Sequence, residues 1–332
     1  MLKLAIVGCG AIAESHLKAA VASGRLAVTT LVDKSLARAR RLAEKHGTAV
    51  EDDYRNIIGK VEAAIIALPH HLHAPVAIDL LRDGIHVLVE KPMAMTALEC
   101  DEMIEAARET QAVVSVGLIR RFYSSAQFIK NAIDTGLLGE VLRFDVRLGS
   151  VYNWPVASDF TFRKETGGGV LADAGPHALD ILLWWLGDYE SVEYYDDAMG
   201  GVEANCEIRL RLKTGGTGIV ELSRTRNLRN TFIIEGDRTT LEVDSSIDPL
   251  LKLTATNDRR ILFSGRCRWD GETVIDPDAI FRTQINDWVD AIVDQRRPSI
   301  TGDEGKRSVE LIERCHARRQ PLVYPWMTPM TL

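Results

Sequence analysis

Asp173, His177, Asp180 and Trp184 follow one another at intervals of four, three and four residues. At about 100° per residue this spacing lays a carboxylate, an imidazole, a second carboxylate and an indole along one side of a helix. Leu179, Leu182, Leu183 and Leu186 fall on the other side. A buried leucine face is ordinary, but each buried polar group on the first side must find a partner or water. The plainer alternative is a core helix with a capping Asp and one satisfied His. Pro176 lacks a backbone donor, so it should start the regular helix or kink it. The glycines at 167–169 leave room for close approach to the backbone. A second candidate is Glu90-Lys91-Pro92. Its lysine is either salt-bridged to Glu90 or a cation held over a reacting oxygen.

The elements that must position these groups can be read from the pattern. Residues 2–7, LKLAIV, are an apolar run of strand length, followed at once by Gly8-Cys9-Gly10-Ala11-Ile12-Ala13 and a helical stretch over 14–22. This is strand, glycine turn, helix in the form GxGxxA. Gly8 permits the tight turn, Gly10 lets a pyrophosphate approach, and Ala13 allows close helix–strand packing. Ala11 and Ile12 lead into the helix, whose N-terminus supplies donors and a positive dipole end for the cofactor. A second strand, 26–32, ends at Asp33, about where a ribose-binding carboxylate is expected. Asp33, with Lys34 beside it, favours NAD, because the carboxylate would repel a 2′-phosphate. NADP is the second choice, through the basic run Lys34, Arg38, Arg40 and Arg41, which otherwise reads as a solvated helix face.

Further strands are expected at 63–68, 85–89 and 113–116, with helices at 75–82 and 96–109. The alternation implies a doubly wound parallel sheet of the Rossmann type over 1–120, with ligands beyond the carboxyl ends of its strands. Leu68-Pro69-His70-His71-Leu72-His73 and Glu90-Lys91-Pro92 both fall there. The histidine spacing is poor for a metal, with no carboxylate or Cys beside it, so none is expected. His70 and His71 should border the cofactor, while His73 should cap or pack at the next helix. From 121 to 332 the pattern changes to short alternating strands at 141–148, 204–212, 218–225, 231–234 and 240–243, with helices at 122–135, 281–293 and 306–314. This predicts an α+β domain with a large, mainly antiparallel open sheet.

The 332 residues carry 46% hydrophobic and 26% charged side chains and a formal net charge of −7, which disfavours nucleic acid and anionic membrane as partners. No apolar run is long enough to span a bilayer. The five cysteines (Cys9, Cys100, Cys206, Cys267 and Cys315) are scattered, without a CxxC pair. With the first strand starting at Leu2, they lead to an expectation of reduced thiols in the cytoplasm.

Taken together, Gly8 to Ala13, Leu68-Pro69 to His73, Gly84 to Glu90-Lys91-Pro92, Arg121-Phe122, and the glycine triplet with Asp173, His177 and Asp180 resemble the Gfo/Idh/MocA oxidoreductases. The resemblance implies that Lys91, Asp173 and His177 form the catalytic group. It places Glu90 and Lys91 beside a nicotinamide, and sets Arg121 and the loop with Pro69, His70 and His73 at the cofactor's border. Position 70 is His where relatives often have Asn. The family's substrate contacts fall near Tyr152, Trp154 and Arg163, with Lys91, Asp173 and His177, and the aromatics there could stack on a sugar ring. The open sheet often joins subunits in relatives, so a homodimer or homotetramer is expected.

The reaction so implied is reversible oxidation of a secondary alcohol on a sugar, polyol or sugar derivative. His177 acts as base, Lys91 steadies the oxygen, and Asp173 orients substrate and His. Rival readings are a glycosidase that oxidises transiently and eliminates, and a non-catalytic sensor of NAD. Arg224, Arg226 and Arg229 at a strand end could clamp a carboxylate or diphosphate, allowing a uronate or nucleotide-sugar substrate; the alternatives are a subunit interface or a solvated edge.

Overall fold

The computed structural model describes residues 1–44, 46–153, 159–266 and 276–323. The first layer is built from β1 (Leu2–Val7), α1 (Ala11–Ser23), β2 (Leu26–Val32), α2 (Leu36–Ala43), β3 (Ala49–Glu51), β4 (Ala63–Ile66), α3 (His73–Arg82), β5 (His86–Val89), α4 (Ala97–Thr110) and β6 (Val114–Val116). The strands are all parallel, in the order β3-β2-β1-β4-β5-β6. The order reverses beside β1, and the cleft at that switch point is where such sheets take ligands. β4 is apolar throughout and β5 is apolar after His86, as strands covered on both faces must be. α4 starts one residue later than the pattern indicates because Thr96 is its cap. The Thr96 hydroxyl accepts Glu99 N–H at 3.2 Å while the Glu99 carboxylate accepts Thr96 N–H at 3.1 Å. The short edge strand β3 has no counterpart in the sequence reading; at three residues it carries no periodicity to detect.

After α5 (Ser124–Asp134), the second layer comprises β7 (Val141–Gly149), α6 (Val170–Leu186), β8 (Tyr189–Asp196), β9 (Asn205–Leu212), β10 (Thr217–Ser223), β11 (Thr231–Gly236), β12 (Thr239–Asp244), β13 (Leu250–Ala255) and β14 (Ile261–Arg266). The chain closes with α7 (Pro277–Val293), α8 (Gly302–Ala317) and β15 (Arg319–Pro321). Nine strands lie in the order β14-β13-β12-β11-β7-β10-β9-β8-β15, antiparallel except at β7/β10 and β8/β15. Alternate residues of β9 (Cys206, Ile208, Leu210 and Leu212) share a core with Leu179, Leu182, Leu183 and Leu186 of α6. Burial at about 25 cal/mol per Å² makes this leucine face the main attachment of α6 to the sheet.

The two layers share elements. Ile285, Trp288 and Val289 of α7 sit in one core with Leu4, Ile6 and Leu17, and α8 packs on both α4 and α6. Helix α6 is therefore held from both sides, which fixes what projects from it toward the switch-point cleft. Cys9, Cys100, Cys206 and Cys315 are free and buried; Cys267 lies outside the described residues. Among the described residues no helix is long and apolar enough to cross a membrane.

Candidate active site

A cavity of about 700 Å³ opens at the switch point. The glycine turn forms one end. Gly8 has φ +99°, and a Cβ there would lie 2.2 Å from the Ala67 carbonyl oxygen, so the turn tolerates only glycine. Above Gly10 nothing lies within 4 Å. No side chain caps the start of α1, and Gly10, Ala11 and Ile12 line the cavity with Leu68 and Pro69. Unfilled N–H groups at a helix start, beside open space over a glycine, form a cradle for a pyrophosphate. These residues fit a dinucleotide.

Asp33 and Lys34 line the same end, but Asp33 is not a waiting acceptor. Its Oδ2 accepts Cys9 N–H at 2.9 Å, and its Oδ1 accepts Ser35 N–H at 2.8 Å and Arg38 Nη2 at 2.9 Å. Burial opposes ionisation, yet these donors together hold the carboxyl below its usual range. One residue of the basic run, Arg38, thus folds back over Asp33.

The opposite end of the cavity gathers Glu90, Lys91, Asp173 and His177. Glu90 pairs with His16, which is fully buried, at 2.7 Å. Lys91 is therefore not spent on its neighbour. Its Nζ donates to the Asp173 carbonyl at 2.9 Å and approaches Asp173 Oδ1 at 3.1 Å, while Arg224 donates to Asp173 Oδ2 at 2.5 Å. Burial works against the Asp173 anion, but Lys91 and Arg224 outweigh it and hold the group well below the normal carboxylate range. Asp173 thus anchors the lysine. Asp173, expected to orient substrate and His177, has its oxygens on Lys91 and Arg224. His177 Nδ1 is buried without a hydrogen-bond partner. Burial first, then Lys91 and Arg120, push its pKa well below 6.5, so the ring is neutral.

Helix α6 divides its polar side between two tasks. Its first turns carry Asp173 and His177. Farther along, Asp180 is 2% exposed and bound by Arg121 through Nε at 2.9 Å and Nη2 at 2.6 Å. The same guanidinium meets Glu304 at 2.6 Å and lies over the Trp184 ring. Arg121, expected at the cofactor's border, here pins α6 to α8. Pro176 sits inside α6. The glycine triplet makes room for protein: His70 Nδ1 meets Gly167 O at 2.7 Å, and a Cβ on Gly169 would lie 2.3 Å from Glu203 Oε1. That Glu203 oxygen accepts Leu171 N–H at 2.9 Å and caps the start of α6.

His70 lines the cavity, and burial lowers its pKa to about 3. His73 does not reach the cavity. It is fully buried with its ring nitrogens on Pro92 O and Leu68 O at 2.7 and 2.8 Å, so it ties the two loops together. His71 faces a different cleft, beside Tyr54 and Asp79. Arg163 is paired with Asp159, its side chain 62% exposed, while its carbonyl accepts Gly168 N–H. Tyr152 stands outside the cavity wall, edge-on to Phe162, with its N–H on Arg224 O. Trp154 lies outside the described residues. Phe160, Ile119 and Phe281 line the cavity without any sequence signal that sets them apart from core. Arg224 was visible in the arginine-bearing strand end, where an interface is the commoner reading.

Residues 2–118 match the pattern described as "Oxidoreductase family, NAD-binding Rossmann fold", and residues 126–242 match the GFO/IDH/MocA C-terminal domain. The chain is 30% identical over 211 residues to D-glucoside 3-dehydrogenase of Escherichia coli K12, covering 62% of this chain and 60% of that protein. It is 27% identical over 231 residues to the rhizopine catabolism protein MocA of Rhizobium meliloti, covering 67% and 71% respectively. The match thus spans about three fifths of the E. coli protein's length. A solved levoglucosan dehydrogenase, in complex with NADH and L-sorbose, superposes with a TM-score of 0.85 at 21% identity over 96% of both chains, which establishes the shared fold.

Proposed function

Because this chain belongs to the GFO/IDH/MocA oxidoreductase family, we propose that it is an NAD-dependent oxidoreductase acting on a secondary alcohol of a sugar, polyol or sugar derivative. The observation that carries the reading is the meeting of Lys91, Asp173 and a neutral His177 in the cavity that also holds the glycine turn. The relatives' names, a glucoside dehydrogenase and a rhizopine catabolism protein, support a sugar-like substrate.

Gly8, Gly10, Ala11 and Ile12 would hold the pyrophosphate, and Asp33 the ribose. When bound, the nicotinamide supplies the acceptor for the hydride of the carbinol carbon. The protein's residues then govern the proton. A neutral imidazole accepts the hydroxyl proton at His177. Lys91 donates to the same oxygen and stabilises the negative charge that grows there, and Asp173 holds the ammonium in place so that little reorganisation is needed. Leu68, Pro69 and Phe160 wall the site with apolar surface, which strengthens these interactions by limiting water. The open face of the nine-stranded sheet, with Arg143, Asp145, Glu193 and Arg209 around a broad cleft, is our proposed contact between copies of the chain.

The test is a screen of sugars, polyols and sugar acids with purified protein and NAD, following absorbance of the reduced cofactor. Stoichiometric reduction supports the dehydrogenase. Cleavage of a glycoside with no net reduction would replace it with the elimination mechanism, and cofactor binding with no turnover of any kind would favour the sensor.

A further inference from the structure

Glu90 stands just past the end of β5 with its side chain 12% exposed, in the wall of the cavity that the glycine turn opens into. It packs against bare backbone, since a Cβ on Gly117 would lie 3.1 Å from its Cδ. One carboxylate oxygen accepts from His16 Nε2 at 2.7 Å, and the other accepts Lys91 N–H at 3.2 Å. Burial opposes its ionisation, but the His16 bond and the nearby Lys91 outweigh that and keep the group below the usual carboxylate range. The bond to an anionic acceptor puts a proton on His16 Nε2. His16 is fully buried, its Nδ1 has no partner, and its ring lies edge-on to Phe281 at 5.2 Å. A second proton on that ring would be buried without an acceptor. A neutral imidazole therefore holds the carboxylate in place without cancelling its charge. The ammonium of Lys91 is turned to Asp173, whose carbonyl it meets at 2.9 Å and whose Oδ1 it meets at 3.1 Å. Glu90 is thus a fixed negative charge on the cavity wall, and among the described residues no lysine or arginine side chain is paired with it.

A dinucleotide with its pyrophosphate over Gly10 and one ribose toward Asp33 must run its other half toward the end of the cavity where Glu90 and Lys91 stand. That half changes charge in the reaction, because the nicotinamide ring is a cation when oxidised and neutral when reduced. We infer that Glu90, held by His16, tells the two oxidation states of the cofactor apart and favours the oxidised one. The inference rests on the dinucleotide reading given above. It gives Glu90 a part in cofactor selection that is separate from the work of Lys91 and His177 on the alcohol. Its consequence is that reduced cofactor is the more weakly held product of an oxidation. An opposite charge within about 4–6 Å shifts an equilibrium between charged and neutral forms by about one to three powers of ten, and the lower end applies here because Lys91 is adjacent.

Calorimetric titration of the cofactor-stripped protein with oxidised NAD, NADH and ADP-ribose tests this, wild type against Glu90→Gln. The variant keeps the shape of the side chain and an acceptor for His16, and removes the charge. Its preference for oxidised NAD over NADH should fall by about tenfold relative to wild type. A fall of less than about threefold, or an equal loss for both cofactors, overturns the inference. ADP-ribose lacks the nicotinamide ring and should bind the two proteins alike; a loss as large as that of oxidised NAD also overturns the inference, because Glu90 would then be acting on the shape of the cavity. His16→Leu removes the donor and should lower the same preference, and an undiminished preference there overturns the part given to His16. If Glu90→Gln fails to fold, the wild type decides: oxidised NAD should bind at least as tightly as NADH, and tighter binding of NADH overturns the inference. Binding of all three ligands with no change of preference in Glu90→Gln sinks this inference alone. Failure of all three to bind folded wild-type protein sinks the dinucleotide reading and takes this inference with it.

Discussion

Replacing Arg38 by Gln should shift cofactor selectivity toward NADH by about tenfold to a hundredfold, given the bonds that change hands. In the structure Arg38 reaches both Asp33 oxygens, with Nη2 to Oδ1 at 2.9 Å and Nε at 3.2 and 3.3 Å. Cys9 N–H and Ser35 N–H take two more acceptor sites, so a ribose hydroxyl meets an acid that is already engaged. Arg38→Gln leaves both backbone bonds and hence the glycine turn intact. It frees the Asp33 lone pairs for the ribose, removes the cation that could accompany a 2′-phosphate, and exposes that phosphate to an uncovered carboxylate. A hydrogen bond to a charged group is worth about 1.5–3 kcal/mol, and the Arg38 side chain is 43% exposed, which puts the phosphate term near the lower end, about tenfold. The gain for NADH is a further severalfold. Titration of the cofactor-stripped protein with NADH and NADPH, wild type against variant, gives the ratio directly. A ratio in Arg38→Gln within about twofold of wild type would refute the role given to Arg38.

Lys91→Met should lower kcat by about 10²–10³, the cost of one preorganised donor to an oxyanion, and His177→Ala by about 10²–10⁴, with NADH affinity changed only slightly. Wild-type-like turnover in either variant contradicts the assigned roles. Because His177 is held neutral, kcat/KM should persist as pH falls through about 6.5, where an ordinary imidazole base is lost; a pH–rate profile with its acid limb at that value would speak against it. His70 has a folded pKa of about 3, below its unfolded value, so the unfolded chain binds the extra proton between the two. Its share of the stability is present above about pH 6.5 and lost as pH falls, by about 1.4 kcal/mol per unit. Tm measured from neutral to acid pH should therefore fall less steeply in His70→Asn, and equal slopes would disprove the link. Arg121→Ala should cost about 3–5 kcal/mol in denaturant unfolding by stranding Asp180; a loss under about 1 kcal/mol would mean that the pin is not needed.

How far the sequence reached depended on whether a residue's role is local. The Gly8–Ala13 turn could be read because strand, turn and helix are consecutive and each glycine answers a local demand. Lys91 stands out because a lysine at the end of a buried strand is costly to place idly, whereas Asp173 and His177 are grouped with it by the family resemblance, their spacing alone being equally that of a plain core helix. What failed were the long-range partnerships. Asp33 and Arg38 are five residues apart, but nothing in their spacing says that the arginine folds back. Arg121 meets Asp180 across 59 residues, and His73 joins loops whose approach depends on packing. The glycine triplet was read correctly as close approach, but what approaches is His70 and Glu203 of the chain itself.

Those long-range pairs suit α6 to the chemistry proposed for it. The proposed general base, held without a partner on Nδ1, gains nothing from hydrogen bonds at that nitrogen in being positioned, so its helix must be fixed by other means. Glu203 holds the first turn through Leu171 N–H, Arg121 grips Asp180 one turn beyond His177, and the leucine face is buried in the nine-stranded sheet. These three attachments lie on different sides of the helix, so rotation about its axis breaks at least one of them. His177 can therefore remain unpaired and reactive because its backbone is held by its neighbours. A variant that removes one attachment, such as Glu203→Ala, should lower kcat more than it raises KM, because it blurs alignment without removing a group that touches substrate; an unchanged kcat would refute this.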